Sequence, residues 1–401
     1  MTTKIRLAII ASHPIQHFVH LYRALAQNAQ IELKVFFCSR MGLDEYFDTD
    51  MNCTIAWKTD LLGGYEHTFL PEAADIEQTT FWQINNPSIA HSLASFRPAA
   101  VMIYGYAHLT MLRSLVWCRL HSVPVLMTGD GDGDAVVQRP PFRAALRSGA
   151  LRILFSQVYA FLTVGDQNER MLTNLGVPEK RMFRTPFPID EPQYRKFRDE
   201  RVATRKSVRL ELGIDSESFV ALFVGKLSQR KRPIDLIDAW ESMQRSGGPA
   251  DRLHILFCGE GKERAALEAR IQKTGAAATL AGFVNVDQLP CYFCAADIMV
   301  QTSERDPHPL VCSEAAAIGL PLVLSDRIGL VGDTDIGRKG QNASVYPCGD
   351  AATLAHEIQH LMLNPEVCRS MSVASIRVYE ECGLEAGVAG ISRALASMQK
   401  N

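Results

Sequence analysis

The amino-acid sequence predicts an α/β protein with two doubly wound domains. The chain has 401 residues, which is too long for one ordinary hydrophobic core. Apolar segments typical of buried strands alternate with segments typical of helices, and this alternation predicts parallel sheets. Near the middle of the chain, Pro186, Pro188 and Pro192 lie in a segment that we expect to be extended. We therefore expect a first domain over residues 1–186 and a second over residues 187–378.

The first half of the chain opens with an apolar strand at residues 6–12 and a helical pattern at residues 18–27. Further strands are predicted at residues 31–38, 99–104, 124–128 and 160–164, and further helices at residues 109–121, 142–155 and 168–175. Each strand is followed by a helix or by a loop long enough to cross the sheet, as parallel neighbours require.

The second half repeats the alternation after a charged helix at residues 198–212. Strands are predicted at residues 219–224, 253–258, 278–280, 298–301 and 321–325, and helices at residues 233–243, 264–274, 354–363, 365–380 and 385–399. No strand follows the last helix. We therefore expect residues 379–401 to pack back on the first domain.

Composition and charge narrow the class of protein. Hydrophobic residues make up 47% of the chain and charged residues 21%, as in soluble globular proteins. The net charge of −2 gives no reason to expect nucleic acid as a partner. We expect neither a signal peptide nor a membrane-spanning segment. The ten scattered cysteines favour a reduced, cytoplasmic protein, and for the lone pair Cys291 and Cys294 core packing is favoured over zinc or redox chemistry.

The most informative segment runs from residue 306 to residue 321. Asp306 falls in a proline-rich loop and Glu314 in the first turns of a small-residue helix, for which Pro309 suits the first position. The amides of Leu310 and Val311 then point out of the helix start, where an anion is favoured. A phosphate site beside two carboxylates suits a nucleotide-sugar. The alternative is a solvated loop followed by a capped helix.

A basic loop between a predicted strand and a predicted helix is the second motif. Gly225, which permits close backbone approach, begins a run that places Lys226, Arg230, Lys231 and Arg232 within seven residues. Such a loop at the carboxyl end of a strand predicts a diphosphate pocket. The spacing is not that of a Walker A loop, and a solvated basic loop is the alternative.

Three further groups lie where predicted strands end. Gly259 and Gly261 permit a tight turn, for which loop geometry is favoured over ligand contact. His13 and His108 are candidate contacts of the acceptor or the transferred sugar, with ordinary surface histidines as the alternative. Asp130 begins an acidic stretch that does not fit a calcium loop, because the sixth position is not glycine and the twelfth is not glutamate. It is instead a candidate for contact with a sugar hydroxyl, and no metal site is predicted.

These motifs resemble those of the GT-B glycosyltransferases, specifically glycosyltransferase family four. The family pattern has two acids eight positions apart, then Ala and Gly-x-Pro, and a separate Gly-Arg-Leu…Lys element. The matching residues here are Asp306, Glu314, Ala315, Gly319 and Pro321, and Gly225, Lys226, Leu227 and Lys231. The family's Gly-x-Gly turn is matched by Gly259 and Gly261. The resemblance covers most of the second domain.

The resemblance implies a role for each matching residue. Lys226 and Lys231 would bind the donor diphosphate and stabilise the leaving group. Glu314 would bind the ribose of the donor, and Asp306 would hold hydroxyls of the transferred sugar. The amides of Leu310 and Val311 would contact the diphosphate, with Gly225 and Gly259 shaping the same pocket. The family has two Rossmann-like domains facing a cleft, retains anomeric configuration, and needs neither a metal nor a cofactor.

The chain departs from the family pattern at several positions. Asp306 is one methylene shorter than the usual Glu, and Lys226 replaces an Arg and its bidentate fork. Pro307 and Pro309 replace glycines. In the first domain, residues 12–16 read Ser-His-Pro-Ile-Gln, which resembles a bacterial polysaccharide-type subset.

The sequence therefore predicts a retaining transferase that moves a sugar from a nucleoside-diphosphate sugar to a glycan or lipid-linked acceptor in polysaccharide or glycoconjugate biosynthesis. A nucleotide-sugar epimerase and a catalytically inactive scaffold that binds the nucleotide-sugar are the alternatives. A peripheral contact with the inner face of the membrane is left open, although packing between helices is favoured. The residues concerned are Phe81, Trp82, Phe142, Arg143, Arg147 and Arg152.

Overall fold

The computed structural model describes residues 4–131 and 141–399, and they divide into two compact units. The first unit comprises the described residues of Met1–Glu45, Thr59–Ile189 and Gly383–Asn401, and the second comprises Tyr46–Lys58 and Asp190–Cys382. Residues 46–58 therefore belong to the second unit, whereas the sequence interpretation placed them in the first domain. Within the described residues, no helix is both long and apolar enough to cross a membrane.

The first unit is built on a parallel sheet with the strand order β5-β2-β1-β6-β7-β8-β9. Its strands are β1 (Ile5–Ala11), β2 (Ile31–Phe37), β5 (His67–Phe69), β6 (Ala100–Tyr104), β7 (Val125–Gly129), β8 (Ala160–Thr163) and β9 (Met182–Arg184). The central strands are buried almost throughout, which explains their continuous apolar sequences. The edge strands β5 and β9 have only three residues each and were not predicted.

Helices cover this sheet, and the sequence predicted each of them except the one at Ile89–Phe96. They are α1 (Phe18–Gln27), α2 (Ile89–Phe96), α3 (Leu109–Leu120), α4 (Pro141–Ser156), α5 (Asp166–Asn174) and α14 (Leu384–Met398). On α1 the buried side chains include Val19, Leu21, Tyr22 and Leu25. Their spacing of three and four residues defines the face that packs on the core.

The C-terminal helix α14 is part of the first unit and packs on β9. A Cβ atom at Gly390 would lie 2.0 Å from the carbonyl oxygen of Arg184, so only glycine permits this approach. The hydroxyl oxygens of Ser397 and Tyr159 lie 3.3 Å apart at the other end of the helix. The last helix therefore completes a unit that begins near the N-terminus.

The second unit contains another parallel sheet, with the strand order β12-β11-β10-β13-β14-β15. Its strands are β10 (Phe219–Val224), β11 (Leu253–Cys258), β12 (Ala278–Leu280), β13 (Ile298–Gln301), β14 (Leu322–Ser325) and β15 (Ala343–Tyr346). Its helices are α6 (Glu191–Asp199), α7 (Arg201–Glu211), α8 (Ile234–Arg245), α9 (Arg264–Thr274), α10 (Leu289–Ala295), α11 (Leu310–Ile318), α12 (Ala351–Leu363) and α13 (Pro365–Cys382).

Helix α6 corrects the predicted linker. The extended segment expected around Pro186, Pro188 and Pro192 turns helical at Glu191, because the carboxylate of Asp190 accepts a hydrogen bond from the amide of Gln193. Pro192 lies in the first turn, where a missing N–H leaves no intrahelical bond unmade.

A short antiparallel hairpin completes the second unit. Its strands are β3 (Tyr46–Asp48) and β4 (Cys53–Ile55), with Tyr46 opposite Ile55 and Asp48 opposite Cys53. Asn52 in the turn has a φ of 52°, in the left-handed region that Asn tolerates. The hairpin interrupts the chain between β2 and β5 of the first sheet, yet its contacts are with the second unit.

Candidate functional site

The predicted donor-site residues follow three strands of the second sheet. Gly225–Pro233 follows β10, Gly259–Gly261 follows β11, and the loop to α11 follows β13. All these strands are parallel, so their carboxyl ends lie at one edge of the sheet, where ligands bind in such folds.

Backbone hydrogen bonds join the basic loop to the Gly-x-Gly turn. The amide of Gly225 donates to the carbonyl of Cys258 at 3.0 Å, and the amide of Leu227 donates to the carbonyl of Glu260 at 2.8 Å. Gly259 has a φ of 153°, and a Cβ atom there would lie 1.9 Å from the carbonyl oxygen of Gly225. The turn thus needs glycine so that the two loops can approach, and a direct ligand contact of Gly259 stays a prediction.

Lys231 of the basic loop and Asp306 of the acidic motif form an ion pair. The lysine Nζ contacts the carboxylate, and the two side chains are only 13% and 11% exposed. The loop around the pair is fixed, because Thr302 Oγ1 donates to the carbonyl of Lys231 at 2.8 Å and the amide of Gly329 donates to the carbonyl of Asp306 at 2.8 Å. The structure therefore brings together two motifs that are 75 residues apart.

Helix α11 begins one residue later than predicted. Pro309 is the residue before the helix, and Leu310 is its first residue. The amides of Leu310 and Val311 belong to the first turn, which has no acceptors within the helix. Behind this turn, the Nε2 atom of buried His308 lies 3.2 Å from the carboxylate of buried Asp335. The helix start is thus held in place while its amides remain suited to an anion.

Glu314 lies one turn into α11. Burial raises the pKa of this carboxyl to about 7, and the hydroxyl of Tyr194 opposes part of that rise. The thiol of Cys312, in the first turn of α11, lies within electrostatic range of all three charged groups. Burial raises the pKa of Cys312, the charge of Asp306 raises it further, the charge of Lys231 lowers it, and the charge of Glu314 raises it. A cation and two carboxyl groups therefore act on one position near the helix start.

Lys226 contacts a different pair of acids. Its ammonium donates to Oδ2 and Oδ1 of Asp48 at 3.0 and 3.2 Å and to Oδ2 of Asp50 at 3.4 Å. Both acids are in the β3–β4 hairpin of the second unit. The sequence analysis missed them, although four acids between residues 44 and 50 are an unusual density in a nearly neutral chain.

The candidates in the first unit follow strands of the first sheet. The Nδ1 atom of His13 lies 3.0 Å from the hydroxyl oxygen of Ser12. Burial, and then the charge of nearby His108, lowers the pKa of His13 to about 4. Burial also lowers the pKa of His108, whose Nε2 atom lies 3.2 Å from the carbonyl oxygen of Thr79. These two imidazoles are therefore neutral at physiological pH and close enough to interact.

Asp130 is exposed after β7. The rest of the acidic stretch that it begins, residues 132–134, lies outside the described residues. Across residues 4–131 and 141–399, no group of three or more His, Cys, Asp or Glu side chains is arranged to hold a metal ion.

Comparison with known proteins defines the class first. The whole chain superposes on HepE of Anabaena, solved in complex with UDP, with a TM-score of 0.72 at 15% identity. The match covers 98% of this chain and 100% of that one. Together with the two parallel sheets, the likeness confirms the predicted GT-B glycosyltransferase fold.

Most of the second unit also matches a protein-family model. Residues 204–377 match the family model described as Glycosyl transferases group 1, so this part of the chain is a group 1 glycosyltransferase domain. It includes the basic loop, the Gly-x-Gly turn and both acids of the 306–314 motif.

Curated relatives agree with this placement. EpsD of Bacillus subtilis (strain 168), named as a glycosyltransferase, is 24% identical over 176 residues, covering 44% of this chain and 45% of EpsD. Mannosylfructose-phosphate synthase of Agrobacterium fabrum (strain C58 / ATCC 33970) is 28% identical over 212 residues, covering 51% of this chain and 45% of the synthase. The chain thus spans less than half the length of the curated relatives it matches.

Proposed function

We propose that this protein is a retaining glycosyltransferase that moves a sugar from a nucleoside-diphosphate sugar to a glycan or lipid-linked acceptor, in polysaccharide or glycoconjugate biosynthesis. One observation carries the proposal. Within a group 1 glycosyltransferase domain, Lys231, Asp306 and Glu314 converge near the start of α11. A cation, a helix start and two carboxyl groups are what a diphosphate joined to two sugars requires.

The donor is bound by parts that match its chemistry. Lys226 and Lys231 bind the diphosphate as point charges, and the amides of Leu310 and Val311 add hydrogen bonds from the helix start. Gly225 and Gly259 keep the backbone of the pocket close to these groups. HepE supports a donor of this kind, because it was solved with UDP and with UDP-glucose.

Each of the two acids binds one of the two sugars of the donor. Glu314 accepts hydrogen bonds from the ribose hydroxyls of the donor, and Asp306 from hydroxyls of the transferred sugar. The ion pair with Lys231 fixes the position of the Asp306 carboxylate.

Catalysis rests on stabilising the nucleoside diphosphate as it leaves. The bond between the anomeric carbon and the phosphate oxygen breaks, and the new bond to the acceptor forms on the same face of the sugar. The acceptor proton passes to the departing phosphate, and the resulting charge is held by the lysines and the helix start. This route uses no covalent nucleophile, and we expect it to need neither a metal nor a cofactor.

We propose His13, His108 and Asp130 as contacts of the acceptor or the transferred sugar. Each histidine has one ring nitrogen near Ser12 or Thr79, which leaves its other nitrogen for a single hydrogen bond with a sugar hydroxyl. The pKa of His13, lowered to about 4, keeps its imidazole neutral at physiological pH.

An exposed apolar stripe on α4 supports the proposal of a cytoplasmic protein that binds peripherally to the inner face of the membrane. Phe142, Leu146 and Ile153 are 68%, 74% and 71% exposed, and their spacing places them on one side of the helix. The opposite side, with Leu151 and Phe155, is buried. Exposed cations flank the stripe at positions 143 and 152. An apolar stripe with basic neighbours suits anionic lipid, where a lipid-linked acceptor would also lie.

Turnover of variants tests the proposed transferase. After a thermal-shift screen with UDP-, GDP-, ADP- and dTDP-sugars has identified the donor, we expect Lys231→Ala and Glu314→Ala to lose about 10²-fold or more in transfer or donor hydrolysis. Glu304→Gln, which removes an exposed charge from the loop before Asp306, is the control and should retain activity. Near-normal turnover in both site variants contradicts the assignment. Incubation with donor alone, followed by NMR, shows an isomer if the protein is instead an epimerase.

A further inference from the structure

The β3–β4 hairpin lies over the carboxyl-end loops of the second sheet. Its exit is anchored to the loop after β12, where Asn285 Nδ2 donates to the carbonyl of Ala56 at 2.6 Å and the rings of Trp57 and Phe283 meet edge to face at 6.3 Å. Lys58 Nζ is 4.0 Å from the carboxylate of Asp287. These contacts place the hairpin at the edge of the sheet that carries the candidate donor site.

The tip of the hairpin presents one carboxylate in a fixed position. Oδ1 of Asp48 accepts hydrogen bonds from the amides of Asp50 and Met51, both at 2.9 Å. Burial raises the pKa of Asp48. The hydrogen bond from the Met51 amide and the contact with Lys226 together lower it by more than burial raises it, so the pKa of Asp48 is below the ordinary value. Asp48 is 17% exposed, whereas Asp50 is 68% exposed. Asp48 is therefore an ionised, partly buried group held by its own turn.

This carboxylate lies on the lysine proposed to bind the diphosphate. The ammonium of Lys226 has three protons, and the structure shows three carboxylate oxygens within 3.4 Å of it. A phosphate oxygen needs one of these donors. It would also meet the negative charge of Asp48 at close range, where like charges repel. Asp48 and a bound diphosphate thus compete for the same cation.

We propose that the hairpin is an acidic flap, in which Asp48 holds Lys226 until the donor diphosphate displaces it. The flap lowers the affinity for the diphosphate end of the donor and prevents Lys226 from presenting an open anion site. This inference rests on the proposed role of Lys226 in donor binding. Asp50, at 3.4 Å and more exposed, contributes less than Asp48.

Calorimetric titration with UDP, GDP and ADP tests the flap. For the diphosphate that the wild type binds, we expect Asp48→Asn to lower the Kd about fivefold, the order of a partly exposed ion pair, and Asp50→Asn to lower it less. Affinity for the corresponding nucleoside, which lacks phosphate, should not change. Asp44→Asn removes the same charge from an exposed position before the hairpin and is the matched control. Melting temperatures show whether each variant is folded.

Hydrogen exchange provides a second readout that does not depend on a variant. In the wild type, diphosphate binding should speed amide exchange at residues 46–55 as the flap is released. Unchanged or weaker binding by Asp48→Asn, or increased protection of the hairpin on binding, overturns the flap. If neither the wild type nor Asp48→Asn binds any of these three diphosphates or dTDP, the proposed transferase fails as well. The two failures are therefore distinguishable.

Discussion

The ion pair of Lys231 and Asp306 has a structural and a chemical consequence. Both side chains are mostly buried, so removing either one leaves a charge without its partner in a poorly solvated place. Such a pair is weak evidence for added stability, because an apolar pair of similar size often packs as well. Its position beside the start of α11 fits the proposed function better than a role in stability, because the pair fixes the orientation of both charges near the proposed diphosphate site.

The proposed role of Glu314 predicts that nucleotide binding depends on pH. Its folded-state pKa of about 7 lies above the ordinary value of about 4.5, so the folded protein holds the proton more strongly than the unfolded chain does. The stability from this group is therefore fully present below about pH 4.5 and is lost as the pH rises through about 7. Only the ionised carboxylate accepts both ribose hydrogen bonds. We therefore expect wild-type affinity for the nucleotide to rise roughly tenfold from pH 6 to pH 8.

Calorimetry at several pH values checks this expectation. Glu314→Gln is the control, because its remaining pH dependence reports the ionisation of the phosphate itself, which has a pKa of about 6. The variant should also gain stability relative to the wild type as the pH rises from 5 to 8. If the wild type and the variant show the same affinity profile, Glu314 does not bind the ribose as a carboxylate.

At the scale of elements, α4 carries the proposed membrane surface. Replacing Phe142, Leu146 and Ile153 with serine should lower sedimentation with phosphatidylglycerol vesicles more than tenfold, because three exposed apolar side chains lose their insertion energy. The control replaces Val202 and Leu210 with serine, since these are equally exposed apolar residues on α7. Wild-type protein that stays in the supernatant, or a triple variant that still sediments, excludes this surface.

Helix α14 depends on a single glycine. Gly390→Ala places a methyl group where a Cβ atom lies 2.0 Å from the carbonyl oxygen of Arg184, so the helix must move away from β9. We expect a loss of about 2 kcal/mol or more in the free energy of unfolding of the first unit, measured by urea denaturation. Gly149→Ala is the matched control, because nothing lies within 4 Å of that position on α4. The control should gain up to about 1 kcal/mol, since alanine favours helix.

An equal change in the free energy of unfolding in the two glycine variants would mean that the approach to Arg184 does not set the effect. A stable Gly390→Ala variant would mean that α14 can shift on β9 without penalty.

For the whole molecule, the alternation of patterns was enough to predict both sheets. Long apolar strands such as β1 and β10 are buried on both faces, and their sequences show it directly. The strands β5, β9 and β15 and the two strands of the hairpin have only three or four residues each and were not predicted, because segments this short rarely show a period. The strand β12 is equally short but was predicted. The order of strands within each sheet also required coordinates.

Candidate-site residues were predicted only within short local motifs. Asp306 and Glu314 lie on consecutive parts of one loop and helix, so their proximity follows from local structure. The contact between Lys226 and Asp48 joins residues 178 positions apart, and no periodicity relates them. For the same reason, the membership of residues 46–58 in the second unit could not be inferred from the order of elements along the chain.

The position of the hairpin in the chain matters for any attempt to study the second unit, with its proposed donor site, in isolation. A polypeptide truncated to Asp190–Cys382 would retain all the lysines and acids of the motifs but would lack Tyr46–Lys58. In this fragment Lys226 would lack its ion-pair partner Asp48, and we expect it to bind anions from the buffer instead. If the hairpin lowers diphosphate affinity as proposed, affinities measured on such a fragment would be higher than those of the intact chain.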